Sequence, residues 1–94
     1  MNRPQAVPTV QIDNERVIVT EWRFPPGAQT GWHRHDHDYV VVPMTDGELL
    51  LETADGPRTA PLIKGQSYTR NVGVKHNVIN PTGHEVVFIE IEMR

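Results

Sequence analysis

Three of the five histidines fall within five residues, in the internal run Trp32-His33-Arg34-His35-Asp36-His37-Asp38, and a fourth, His76, lies in an apolar stretch far along the chain. An internal cluster of this kind is not a purification tag. On an extended chain alternate side chains share a face, so His33 and His35 would project together, about 6.6 Å apart along the strand. Two imidazoles on one strand face can chelate a single ion when a third ligand arrives from elsewhere, and His76 is the candidate third. The chain has no cysteine, which excludes a thiolate nucleophile, a disulfide and any Cys-based zinc or iron–sulfur site. A metal must therefore rest on His, carboxylate or Tyr. No nucleophile is flanked by a base in a recognisable pattern, and no glycine-rich phosphate loop occurs.

A second set of polar groups precedes His76. Gln66, Tyr68 and Arg70 alternate onto one strand face, where an amide, a phenol and a guanidinium would suit a carboxylate-bearing ligand; an outer or interface face is the plainer alternative. Arg23 and Glu21 read as a solvated or intersubunit pair. Trp22, Trp32, Phe24 and Phe88 read as packing residues, His84 as an exposed turn residue, and Asp36 and Asp38 as turn residues, one of which would orient a histidine through its second ring nitrogen.

The elements that must position these groups are strands. Eight prolines and seven glycines punctuate the 94 residues about every ten positions, a spacing that breaks helices and suits short strands. In Arg16 to Phe24 the even positions Ile18, Trp22 and Phe24 make an apolar face opposite Glu21 and Arg23. In Glu85 to Met93 the odd positions Val87, Ile89, Ile91 and Met93 are apolar and alternate with Glu90 and Glu92. The period of two predicts one buried face on each strand, the odd one in the second case. Tyr39 to Met44 reads as a deeply buried strand. Asp46-Gly47 predicts a tight hairpin into Glu48 to Thr53, Asp55-Gly56-Pro57 a turn toward Arg58 to Leu62, and Asn71-Val72-Gly73 a turn into a strand around His76 to Asn80. Eight or nine strands and no helix predict an all-β single domain closed as a small barrel or double-sheet jelly roll, architectures that dispose of sheet edges.

Hydrophobic residues make up 37% of the chain and charged residues 22%, which fits a globular domain and neither disorder nor a coiled coil. The net charge of −3, with Lys and Arg scattered, argues against a nucleic-acid partner. No apolar run approaches the roughly 18 residues of a membrane span, and the opening residues lack an apolar secretion core, so a cytoplasmic protein away from the membrane is expected. Residues 1–15 are expected to form an N-terminal arm carrying Val7, Val10 and Ile12, the arm or an edge strand pairing across a two-fold axis in a homodimer, with residues 16–94 as the domain proper.

The spacing of the chemical residues resembles the two signature motifs of the cupin superfamily. Gly27, five residues, His33-x-His35, then six residues between Val40 and Gly47 follow the first. Gly65, five residues, Asn71-x-Gly73, two residues, His76, three residues and Asn80 follow the second, with Asn71 where the family usually has Pro. The strings VTEWRFPPGAQTGWHRHDHDYVVVPMTDGELLLE and GQSYTRNVGVKHNVIN are similar to small single-domain bacterial cupins associated with beta-alanine degradation, a pathway label that carries little mechanism. The resemblance implies a cupin-type double-stranded β-barrel with His33, His35 and His76 as metal ligands. The Glu that commonly completes such a site is absent: Tyr39 and Val40 stand where it would be, Val40 cannot bind a metal, and a Tyr39 phenol holds its proton to about pH 10 unless a metal displaces it. The expected shell is three neutral imidazoles, with Tyr39 as an optional fourth ligand, around one divalent ion (Fe, Mn, Ni, Cu or Zn). Val40, Asn80, Gln66, Tyr68 and Arg70 are expected to line the pocket for a small-molecule ligand. Protons should compete with the metal as pH falls through about 6.5. Three functions remain open on these residues: a metal-dependent enzyme of oxygenase, isomerase or lyase type acting on a small polar or anionic metabolite, a non-catalytic binding or sensing module that is metal-free or weakly metal-binding, and a structural homodimer subunit of a larger assembly.

Overall fold

The computed structural model describes residues 3–94, and among them the only regular elements are nine strands: β1 (Val7–Asp13), β2 (Val17–Phe24), β3 (Gln29–Arg34), β4 (Asp38–Pro43), β5 (Gly47–Thr53), β6 (Gly56–Leu62), β7 (Tyr68–Arg70), β8 (Lys75–Ile79) and β9 (Val86–Met93). They form two antiparallel sheets packed face to face, one of five strands in the order β1-β2-β9-β4-β7 and one of four in the order β3-β8-β5-β6. No described helix is long and apolar enough to cross a membrane.

The inner faces bury Phe24, Val86 and Phe88 at one end of the sandwich, where the Phe24 and Phe88 rings stack at 5.5 Å. Toward the other end the inward positions turn polar, and this gradient along the barrel axis separates a packed floor from a chemical site.

Six of the eight connections pass from one sheet to the other; only β1–β2 and β5–β6 are hairpins. The hairpin expected at Asp46-Gly47 is therefore not formed. β4 and β5 lie in different sheets, and the Asp46 carboxylate instead accepts the Lys64 backbone N–H at 2.9 Å, bracing two corners of the sandwich. A tight-turn dipeptide fixes a sharp reversal but not which sheet receives the next strand. The Ala54-Asp55 loop does close a hairpin, with Thr53 opposite Gly56.

The inward face of β9 also differs from expectation. Trp22 pairs with Phe88, Thr20 and Val41 with Glu90, and Tyr39 with Glu92, which puts the even positions of β9 inside. Ile89, Ile91 and Met93 lie on the outer face, beside Val19, Val40 and Val42. Because β9 is the central strand of the larger sheet and carries apolar side chains on both faces, period two alone could not choose between them.

The N-terminal segment is held against the barrel of its own chain. β1 pairs with β2 as an edge strand, Gln29 N–H donates to Pro4 O, and Ala6 is buried in the core. Every residue of β1 is nonetheless exposed.

Candidate metal centre

His33 and His76 face each other as register partners on β3 and β8, and His35 follows just past the end of β3. A bulge between Gln29 and Trp32 sets the alternation that turns Trp32 out to solvent and His33 in. Gly31 occupies it at φ 87°, a conformation that side-chain-bearing residues rarely adopt. The same glycine orients the imidazole: its carbonyl accepts a hydrogen bond from His33 Nδ1 at 2.9 Å, which leaves Nε2 as the free lone pair pointing inward. Asn77, buried on β8, accepts from Gly31 N–H at 3.0 Å and locks the bulge. His35 is clamped through its backbone, its N–H donating to Val74 O and its carbonyl accepting from Gly73 N–H at 2.8 Å. Gly73 sits at φ 94° in the turn before β8, which explains a glycine at that motif position.

The result is a convergence of ring nitrogens. His35 Nε2 lies 3.0 Å from His33 Nε2 and 3.1 Å from His76 Nε2. Hydrogen bonding satisfies this arrangement poorly: with the Nδ1 proton on Gly31 O, His33 Nε2 is an acceptor, so a single His35 Nε2 proton is split between two acceptors, or else one contact sets two like ends together. A cation between them satisfies all three lone pairs. Neighbouring nitrogens about 3.0 Å apart are what bonds of about 2.1 Å meeting near a right angle require. His35 and His76 are buried, and burial together with the adjacent imidazoles lowers both to about 4, so each is neutral at pH 7 as a metal ligand must be. For these two histidines proton competition is displaced from about 6.5 toward pH 4.

Carboxylates are present after all, though not from the first motif. Glu90 and Glu92 on β9 place their oxygens within 4.8 Å of one another and of a His35 ring nitrogen. Burial, and after it the neighbouring charge of Glu92, raise Glu90 to about 7. Glu92 lies 3.5 Å from His37 Nδ1. Tyr39 stacks its ring on His35 at 4.0 Å, and burial and then the charge of Glu90 push its phenol up, so it presents a protonated hydroxyl and a flat packing surface. Trp22 Nε1 is buried in the same cavity without a hydrogen-bond partner.

The remaining expected pocket residues separate. Tyr68 and Arg70 line the cavity, with the Arg70 guanidinium 4.4 Å over the Tyr68 ring. Gln66 does not: the strand starts only at Tyr68, and Gln66 is an exposed residue of the preceding turn, its N–H bonded to Ile63 O. Val40 does not either, since its neighbours Tyr39 and Val41 take the inward positions and Val40 faces outward between Ile91 and Thr69. Asn80 is fully buried at a corner rather than in the cavity; its amide donates to Phe24 O, Pro25 O and His84 O, and its oxygen accepts from Thr82. Asp38 accepts from Val72 N–H, and Asp36 pairs with Arg34 in solvent. Glu90 is the residue that sequence reasoning missed. Its only signal is that it shares the even face of β9 with Val86 and Phe88.

Two sheets of this order closing over a His-x-His and His centre define a cupin, and the cupin domain family matches residues 20–92; the chain belongs to that family. It is 71% identical over 92 residues to the beta-alanine degradation protein BauB of Pseudomonas aeruginosa, covering 98% of this chain and 97% of that one. A crystal structure of a cupin domain from Bordetella pertussis superposes with a TM-score of 0.98 at 69% identity, over 100% of this chain and 98% of that one. An RmlC-like cupin with a double-stranded β-helix fold from Methanocaldococcus jannaschii shares the fold at 18% identity, with a TM-score of 0.79 over 95% and 80% of the two chains.

Proposed function

We propose that this cupin binds one divalent ion through His33, His35 and His76 and acts with it on a small polar or anionic metabolite in the cytoplasm. The observation that carries the reading is the approach of three ring nitrogens, at 3.0 and 3.1 Å, in a cavity where at most one well-directed hydrogen bond can form among them. When bound, the ion supplies Lewis acidity and open coordination positions; iron, manganese, nickel, copper and zinc all suit imidazole. The protein groups do the rest. Gly31 O fixes the His33 tautomer, Tyr39 holds the plane of His35 by stacking, and Glu90 is placed to hold or release a proton near neutral pH. The likeness to BauB supports a substrate drawn from beta-alanine breakdown, a class of short carboxylates. The apolar outer positions of β2, β9 and β4 support a homodimer in which two copies cover Val19, Val40, Val42, Ile89 and Ile91.

Elemental analysis of protein purified without an affinity tag tests the centre, in wild type and in His33→Ala, His76→Ala and Tyr39→Phe. A stoichiometric ion in wild type and Tyr39→Phe, lost in both histidine variants, supports the three-histidine shell. Equal loss in Tyr39→Phe makes the phenol a ligand, and a metal-free wild type favours the non-catalytic binding module.

A further inference from the structure

Outside the cavity, and sharing Leu51, Tyr68, Arg70 and His76 with it, lies a groove of about 540 Å³. Its position follows from the topology. β6 and β7 are the terminal strands of their respective sheets, so their inward faces flank the open side of the barrel with no hydrogen-bonded partner beyond them. Arg58 stands opposite Leu51 on β6, and Arg70 stands opposite Tyr39 on β7, so each edge strand brings one guanidinium to the same groove.

Neither guanidinium is neutralised. Arg23 pairs with Glu21 and Glu85, Arg34 with Asp36, and Arg94 with Asp13, whereas among the described residues no carboxylate lies within ion-pair distance of Arg58 or Arg70. No acidic residue lines the groove, although the whole chain carries a net charge of −3. Arg70 is braced over Tyr68 and donates only to Thr69 O; Arg58 makes no side-chain hydrogen bond. Guanidinium forks match carboxylate oxygens in geometry as well as in charge.

We propose that Arg58 and Arg70 form a carboxylate clamp at the barrel mouth, and that the ligand is a small organic acid held there by its carboxylate, with a short apolar stem along Leu51 and Val74 and its far end directed past His76 into the cavity. The far contact rests on the histidine centre as the functional site; the clamp itself does not need the ion.

The test is therefore made on metal-free protein. Titration of the 15N-labelled chain with butyrate at low salt, read by the amide shifts of Arg58, Arg70 and Val74, is expected to give saturable binding. Affinity should fall roughly three- to tenfold in Arg58→Gln and in Arg70→Gln, recover only in part in Arg70→Lys, which restores the charge without the fork, weaken with added salt, and be absent for the uncharged butyramide. Wild-type affinity in both Gln variants, or equal binding of butyramide, overturns the clamp, as does the lack of any saturable shift in wild type. Metal content of the histidine variants is read separately, so failure of one reading leaves the other standing.

Discussion

Glu90 and the two buried imidazoles titrate in opposite directions, and the metal-free protein should show both effects. For His35 and His76 the folded state resists protonation down to about 4 while the unfolded state takes up protons near 6.5, so stability falls as pH drops through that window. Glu90 behaves conversely: the folded state keeps its proton to about 7 and the unfolded state loses it near 4.5, so stability falls as pH rises from 4.5 to 7 and then levels. Glu90→Gln, which retains shape without the charge, is expected to match wild type at pH 4 and to exceed it by up to about 3 kcal/mol at pH 8, as read from urea unfolding of metal-free protein. Equal stability at pH 8 would show that Glu90 ionises freely. At this scale the sequence reveals the imidazoles, because alternate residues of a strand share a face and the spacing of both motifs marks His76 as their companion; His-x-His alone would not have been enough. It conceals Glu90, because a carboxylate alternating with Ile89 and Ile91 looks like a solvated face until the partner strands are known.

Two elements hold the site in register, and each has a residue whose loss should be felt. A side chain at Gly31 meets open space but would have to adopt φ 87°, so Gly31→Ala is expected to cost about 1–2 kcal/mol and, by relaxing the bulge, to turn His33 away. Reduced metal content without unfolding is the expected reading, and an unchanged ion stoichiometry would show that the bulge does not position the ligand. Asn80 works at the opposite corner. Asn80→Ala leaves the carbonyls of Phe24, Pro25 and His84 without their buried donor, an expected loss of about 2–4 kcal/mol and on the order of 10–20 °C in Tm by thermal unfolding. The strands and their breaks are legible from proline and glycine spacing, down to the turn at Asp55-Gly56. The sheet to which each strand belongs is not, as Asp46-Gly47 shows, because that choice is made by the burial of both faces across the whole sandwich. Asn80, set at a motif position, reads equally as a pocket residue or a brace until the three carbonyls around it are seen.

For the molecule as a whole, the outer face of the larger sheet carries a row of half-buried apolar side chains, and the homodimer reading can be tested there directly. Ile91 sits between Val19 and Val40 on that face, so Ile91→Lys should convert a dimer into a particle of 10.7 kDa by sedimentation, with little change in the barrel itself. A wild-type chain that already sediments as a monomer removes the interface. The frequent crossing of the chain between sheets has a consequence for folding rates. With only β1–β2 and β5–β6 closing locally, most backbone pairings join distant segments, and loop-closure entropy must be met before they form; refolding is expected on the millisecond-to-second scale. His35 and His76 are 41 residues apart and meet only when β3 and β8 pair. An ion bound as proposed would therefore arrive at a nearly finished barrel, and adding it should slow unfolding while leaving the refolding arm of the chevron where it was.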